Sequence, residues 1–572
     1  MIRSRYLVLI LTITLMLSGV VLAASIQNNM GSVIVTEVDF QAVDGSNIHN
    51  TLQRPSYATA SNPLPGVIVY HGALQNKEWV MAFGIELARR GFVVLTSDAN
   101  GHGNSDFGSG SGLATIEYLS SLNYVDSSSI GLIGHSMGGG TLRDALESTS
   151  ATVRAVVLVG SWVGTDWNAT YPSNLLVTVG DFDSLFSGYN ESVIQDVFNS
   201  SSVEEYTTYG DFDSGTARKI VFARTNHLFE TIDPEIVSET VEWMKESLKR
   251  GVEDENWIAS GDLVYGWWMV GGFFATLGAI LTIFPLITIL LELPQFKSLE
   301  RKTNKTLAPA NGPRTKWGLI YSLIPPILFF PLLLVGVAVP FPMSYAASIS
   351  SWLLGTALVL YLLLRVVSRK QGMDMSSFWR IGGDQEGRRI PLLKTFAVSA
   401  LVMAWLYVWT LLVDLGFALD FRCFLPGLND LTISRALLFP IFVVVYFLNS
   451  LIDGMWLMGP LRPSDSEPWY KGQTKWSLIS IFLKCWPLVL LLGIEFGVGM
   501  LTGIPIIPGA IGFTFLFFYA FTPWMAVSAV ITVWAFRATD QYYFGAILNG
   551  ILNGWITASI LSFNAGVLIF ML

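Results

Sequence analysis

The sequence predicts two architectures in one chain: an α/β domain over residues 30–250, built on a mostly parallel sheet with helices on both faces, and an all-α multi-span transmembrane domain over residues 256–572. Three observations carry this. Short apolar runs of strand type alternate with helical patterns up to about residue 250. Apolar runs of spanning length recur beyond Glu255. A buried-type strand at 129–133 runs straight into Gly134-His135-Ser136-Met137-Gly138-Gly139, and Thr141-Leu142-Arg143-Asp144-Ala145-Leu146 behind it reads as a helix.

Residues 1–24 open with Arg3 and Arg5 and continue as an uncharged apolar run, 6–24, which reads as a signal peptide or an N-terminal membrane anchor. The run is long enough to span, while Val21-Leu22-Ala23 also suits a cleavage site; both readings place the acidic α/β domain outside the cytosol. Alternating segments 33–38 and 48–52, separated by Asp44-Gly45-Ser46, read as a hairpin. Pro65-Gly66 introduces a strand at 67–70 that runs into His71-Gly72-Ala73. Next come a helix near 77–90, a strand at 92–96, a glycine-rich loop, a helix near 113–122, the strand at 129–133 and a helix near 138–148. Spacing of this kind implies right-handed crossovers. Strands 153–159, 174–179 and 218–222 extend the sheet, and an acidic amphipathic helix over 233–249 closes it.

Gly134-x-Ser136-x-Gly138 at a strand end has the form of a nucleophile elbow, in which a strained turn holds the serine hydroxyl clear of the sheet and flanking side chains would clash. A serine alcohol needs an imidazole to accept its proton and a carboxylate to orient that imidazole. The chain has five histidines, and only His227 lies C-terminal to Ser136. It lies beyond the 218–222 strand, at the carboxyl ends of the strands where sites in open parallel sheets are found. Gly180-Asp181-Phe182-Asp183 supplies the acid after the preceding strand. Asp183 is the favoured carboxylate, with Asp181, Asp211 and Asp213 open as alternatives. Backbone amides of Ala73 and Met137 are the candidate donors to a developing oxyanion.

With Asp98-x-x-Gly101-His102-Gly103-x-Ser105 added to the elbow and His71-Gly72-Ala73, residues 33–250 resemble the serine hydrolases of the α/β-hydrolase fold. The similarity is to the branch of monoacylglycerol lipases, serine aminopeptidases and dienelactone-hydrolase-like esterases. The resemblance implies that His102 and Ser105 belong to a structural loop. Relatives often insert a helical lid after the strand ending near Val159, whereas about fifteen residues, 160–174, precede the next strand here. That segment is too short to cover an acyl chain.

Composition agrees with a membrane protein, since a mean hydropathy of +0.51 with 13% charged residues lies outside the range of soluble enzymes. Residues 25–255 carry 12 Lys+Arg against 29 Asp+Glu, and residues 256–572 carry 20 against 14. An acidic first half argues against nucleic acid as a partner. Cys423 and Cys485 are too few for a disulfide framework, no metal-ligand cluster is visible, and no cofactor is implied. Sequons at Asn168, Asn190 and Asn199 all fall in the acidic half.

Eight spans are expected after Glu255: 263–291, 317–339, 346–366, 393–415, 435–453, 475–498, 508–536 and 543–570. Loops 292–316, 365–394 and 454–475 carry six, seven and three basic residues, while 340–345 and 499–507 carry none. This alternation obeys the positive-inside rule, with the acidic domain and the C-terminus outside; Arg422, in an outside loop, is the exception. Lys484 and Glu495, on the sixth span, are the best candidates for functional ionisable groups inside spans, and Asn549-Gly550 with Asn553-Gly554 reads as a close-packing surface.

The expected protein is therefore a multi-pass cell-membrane enzyme whose outer domain cleaves an ester, a lipid ester among the candidates. A peptidase or acyltransferase with the same three residues is the alternative, as is a transporter or receptor with a hydrolase-like binding domain. The lipid bilayer is the expected partner. Residues 251–262 tether the domain close to the membrane surface, so the cover for an acyl substrate is expected from the bilayer or from the outer ends of the spans, such as the loops near 340–345 and 421–428.

Overall fold

The computed structural model describes residues 2–186, 191–301, 314–379, 391–422, 426–464, 469–515 and 517–563. Asn190, Cys423 and the end of the expected 543–570 span lie outside them.

Eight strands form one sheet: β1 (Val33–Gln41), β2 (Asn47–Pro55), β3 (Leu64–Tyr70), β4 (Val93–Ser97), β5 (Val125–His135), β6 (Val153–Val159), β7 (Leu175–Gly180) and β8 (Arg218–Ala223). Their order is β1-β2-β4-β3-β5-β6-β7-β8. The hairpin β1–β2 joins the sheet antiparallel to β4, and every pairing from β4 to β8 is parallel. The central strands are buried on both faces, which is why Val67-Ile68-Val69-Tyr70 and Val156-Val157-Leu158-Val159 are continuous apolar runs. β5 starts four residues earlier than the apolar run, since Val125 and Asp126 pair with Leu64 and Pro65 before the register shifts at Gly66.

Helices α2 (Met81–Ala88), α3 (Ser111–Ser121), α4 (Met137–Ser148), α5 (Glu191–Phe198) and α6 (Pro234–Lys249) accompany the strands. Asp233 accepts from the amides of Glu235 and Ile236 and caps α6, whose first residue is Pro234. No helix forms over 160–174, in agreement with the short cap.

The helical half comprises α7 (Tyr265–Glu292), α8 (Arg314–Val337), α9 (Ala346–Lys370), the single turn α10 (Met375–Phe378), α11 (Leu392–Phe417), α12 (Ile433–Met458), α13 (Trp469–Thr502), α14 (Gly509–Phe515), α15 (Phe517–Thr539) and α16 (Tyr542–Ile560). With the N-terminal α1 (Ile2–Gln27), eight helices among the described residues are long and apolar enough to cross a membrane. The sequence predicts nine such segments. The ninth, expected over 543–570, is described only as far as residue 563; its described part, α16, is surrounded by the other helices and carries buried Asn549, Asn553 and Thr557. Its neighbours replace the lipid, so its composition need not be that of a lipid-facing span. Gly550 and Gly554 let it approach the backbone of α12, where added Cβ atoms would lie 3.1 Å from Val443 O and 2.8 Å from Val443 N.

α1 lies against α7 through small residues. A Cβ on Gly19 would sit 2.3 Å from Ala275 N, and one on Gly278 would sit 2.4 Å from Met16 N.

The halves are docked rather than loosely tethered. One apolar cluster runs from Val69, Ile133 and Met244 through Trp268 and Ala279 to Leu406 and Trp555. The 251–262 segment is held as well, because Arg90 donates to the carbonyls of Ile258, Ala259 and Asp262 at 2.7, 2.6 and 2.8 Å. Glu86 accepts from the amides of Val264 and Tyr265 at 2.6 and 2.8 Å, placing a carboxylate on the positive end of α7.

Candidate active site

β5 delivers Ser136 to the start of α4 with φ 52° and ψ −119°, a conformation that costs a non-glycine residue energy and lifts its side chain off the sheet. The glycines of the turn are required by space. A Cβ on Gly134 would meet Gly138 O at 2.6 Å, and one on Gly138 would meet Tyr70 O at 2.5 Å. The turn is pinned from both sides: the Ser136 amide donates to Val159 O at 3.0 Å, and Ser161 Oγ donates to Ser136 O at 2.7 Å.

His227 sits in the loop after β8, where Asn226 Oδ1 accepts from the amides of Leu228 and Phe229. Its Nε2 lies 2.9 Å from Ser136 Oγ. Nδ1 lies 2.8 Å from Asp183 Oδ2, and Asp183 Oδ1 accepts from the amides of Leu185 and Phe186 at 2.6 and 3.1 Å. All three side chains are buried. The structure thus brings together Ser136, His227 and Asp183 in a line able to pass a proton from hydroxyl to imidazole. Asp181 instead pairs with Arg224 at 3.2 Å, and Asp211 accepts from the Ser214 amide in an exposed turn.

Two neighbours of this line carry no motif in the sequence. Glu230 Oε2 stands 3.3 Å from His227 Nδ1 and 3.3 Å from His135 Nε2, while its Oε1 accepts from the Gly180 amide at 2.7 Å. Its spacing of three from His227 was the available signal. Gln75 Oε1 accepts from the Gly72 amide at 2.9 Å and lies 3.0 Å from His135 Nδ1, so it ties the Gly72-Ala73 turn to the strand bearing the serine. Burial pushes the His227 pKa down, but Asp183 and Glu230 outweigh it and raise it to about 10. Burial takes His135 down to about 3, so that ring stays neutral.

The ligand atoms of His135, His227 and Glu230 lie within 4.8 Å of one another, a grouping that could hold a metal ion and that sequence spacing did not disclose. A metal at His227 Nδ1 would have to displace Asp183, so the two uses of this imidazole compete.

Ala73 lines the same cavity as Ser136. Met137 is the first residue of α4, where an amide has no partner within the helix. Asp98 accepts from the amides of Lys77 and Asn104 at 2.8 and 2.9 Å, and Ser105 Oγ donates to Asp98 O at 2.8 Å. These contacts fix the loop.

The cavity leads from Ser136 between the helices of the helical half. Its walls include Trp352, Phe513, Phe517, Phe521, Met525 and Ile556, and Phe513 lies 6.0 Å from the His227 ring. Cover was expected from the bilayer or from the outer ends of the spans, such as the loops near 340–345 and 421–428. Among the described residues only Pro426 of those loops lines the cavity; residues of α8, α9, α12, α13, α14, α15 and α16 supply the rest of that side. Helices can present a rigid apolar wall where a short loop cannot.

The alpha/beta hydrolase fold family matches residues 65–248, within the sheet domain. A bis(hydroxyethyl) terephthalate hydrolase of Streptomyces coelicolor is 32% identical over 142 residues, covering 24% of this chain. The match spans 43% of that relative, so less than half of its length is represented. An esterase of Pyrococcus furiosus is similar at 14% identity and a TM-score of 0.29, over 39% of this chain and 96% of that one. A hypothetical protein of Pseudomonas aeruginosa is similar at 14% identity and a TM-score of 0.29, over 38% and 94%. The sheet domain has the α/β-hydrolase fold, and an all-helical region with several long apolar helices lies beyond it.

Proposed function

We propose that the protein is a membrane-embedded serine hydrolase that cleaves carboxylic esters, with Ser136 as nucleophile, His227 as base and Asp183 as the acid that orients it. The observation that carries this reading is the line Ser136 Oγ, His227 Nε2, His227 Nδ1, Asp183 Oδ2, with separations of 2.9 and 2.8 Å at an elbow with strained φ. Ser136 Oγ attacks the ester carbonyl as its proton passes to His227 Nε2, and the amides of Ala73 and Met137 receive the oxyanion. Collapse expels the alcohol, which takes the proton from His227 and leaves an acyl group on Ser136. Water, deprotonated by His227, then releases the acid and restores the hydroxyl.

Ester chemistry is favoured over peptide chemistry by the similarity to a bis(hydroxyethyl) terephthalate hydrolase and by the apolar cavity beside the serine. The basic loops set the orientation in this reading, with the hydrolase domain outside the cell and the cavity opening toward bilayer-borne substrates. Labelling of membranes with a fluorophosphonate, then a panel of esters and peptides, tests the assignment. Labelling lost in Ser136→Ala together with ester turnover supports it; a wild-type protein that neither labels nor hydrolyses sinks it.

A further inference from the structure

The cavity does not end in lipid-like surroundings. Its far part is lined by Asp453 of α12, Lys484 of α13 and Tyr321 of α8, three residues that no step of ester cleavage uses. Lys484 Nζ lies 2.5 Å from Asp453 Oδ2, and the Tyr321 hydroxyl donates to Asp453 Oδ1 at 3.0 Å. Among the described residues, Asp453 and Lys484 are the two carboxylate and ammonium side chains lining the cavity, and Asp453 is the acceptor the Lys484 ammonium meets. The ammonium therefore keeps donors to spare. Between this floor and Ser136 the wall is mostly apolar, with Thr356, Asn553 and Thr557 among its polar members, and the stretch of α15 from Phe517 to Ser528 alone covers about 16 Å of helix axis.

We propose that Asp453, Lys484 and Tyr321 form a second binding subsite, which receives an uncharged hydrogen-bonding group at the far end of a long amphipathic ester whose carbonyl lies at Ser136. The proposal rests on the reading of Ser136 as nucleophile. Ionisable groups inside spans are costly and mark function when they face a cavity. A buried ion pair is no better for stability than well-packed apolar residues, so fold alone does not account for this one. The pair is also neutral as a unit. An incoming carboxylate or ammonium would bring an uncompensated charge into a site of low dielectric, whereas a hydroxyl can accept from Lys484 and donate to Asp453 at no net charge. The mostly apolar stretch between the two polar ends fits a hydrocarbon chain.

The test uses the full-length protein in nanodiscs and p-nitrophenyl esters of hexanoate, decanoate and hexadecanoate, each compared with its ω-hydroxy counterpart. The hydroxyl of the longest ester is expected to lower KM about tenfold, and that of the hexanoate, too short to reach the floor, to leave it unchanged. Asp453→Leu combined with Lys484→Met removes both charges together and brings the long-chain ratio to about one. Binding of the same long esters to Ser136→Ala gives a readout that needs no turnover. Equal binding of the hydroxylated and methyl-terminated esters there overturns the subsite, as does a ratio that survives in a folded double variant. A protein that hydrolyses no ester, yet whose Ser136→Ala form binds the hydroxylated ester about tenfold tighter, removes the esterase reading and leaves the subsite standing.

Discussion

Arg422, in the loop between α11 and α12, places Nη2 3.4 Å from Glu78 Oε1 across the boundary between the two halves. Its Nε lies 2.5 Å from Asp420, and Lys77 closes the group at 2.6 Å from Glu78 and 2.9 Å from Glu37. The residue that is the exception to the positive-inside pattern is thus a buried cation facing the sheet domain. Burial alone would raise the Glu78 carboxyl, but Arg422 and Lys77 outweigh it and hold it below its ordinary range. Replacing Arg422 by Met leaves Asp420 and Glu78 short of a partner, and is expected to destabilise docking by roughly 3–5 kcal/mol. Thermal unfolding and protease cleavage within 251–262 are the measurements. An unchanged midpoint with an intact linker would show that the apolar interface alone holds the halves together.

Ser136→Ala is expected to abolish fluorophosphonate labelling and ester turnover without loss of folded protein, because the hydroxyl lines a cavity and its removal opens no void. His227→Ala is expected to lower turnover on the order of 10³-fold or more, no other histidine being within reach of Ser136 Oγ among the described residues. Steady-state kinetics on p-nitrophenyl acetate decides it, and full activity in either variant contradicts the assignment.

Asp183 and Asp181 are two residues apart and lie in different surroundings. Asp183→Asn leaves the imidazole without its carboxylate and is expected to lower kcat on the order of 10³- to 10⁴-fold. Asp181→Asn gives up a partly exposed contact with Arg224 and is expected to change kcat by less than about twofold. The reverse ranking in parallel kinetic assays would move the acid to Asp181.

As the proposed base, His227 accepts a proton only when neutral, so turnover is expected to rise with pH through its pKa. Glu230 is one of the two carboxylates that raise that value to about 10 against burial. In Glu230→Gln one negative charge beside the imidazolium is gone, its pKa falls, and the ascending limb of kcat/KM moves to lower pH. A pH–rate profile reads this directly. A limb that stays put, or moves to higher pH, means that the Glu230 charge is not felt at the base.

Met525, on α15, lines the apolar part of the cavity between Ser136 and the polar floor. Filling that space with Met525→Trp is expected to lower kcat/KM for hexadecanoate esters at least about tenfold more than for acetate. Equal losses for both chain lengths would place the acyl chain elsewhere.

The fold class, the elbow and the single usable histidine were legible in the sequence because each depends on local chemistry: strand periodicity, the glycines a tight turn needs, and one imidazole downstream of one serine. Asp183 was preferred to Asp181 only by turn geometry, and the hydrogen bond to His227 is what separates them. Glu230 and Gln75 act through contacts made by chain segments that meet only after folding, so no spacing rule selects them with certainty. The helical half shows the same division. Apolar runs of spanning length mark helices one at a time, yet α16 reads as a span like the others until its neighbours are seen to enclose it. By sequence Arg422 is an outlier in a loop and Lys484 a side chain able to reach for the bilayer surface. Each is a buried cation whose partners, Glu78 and Asp453, lie on other elements, and long-range electrostatic pairing is decided by tertiary structure because a linear sequence carries no distances.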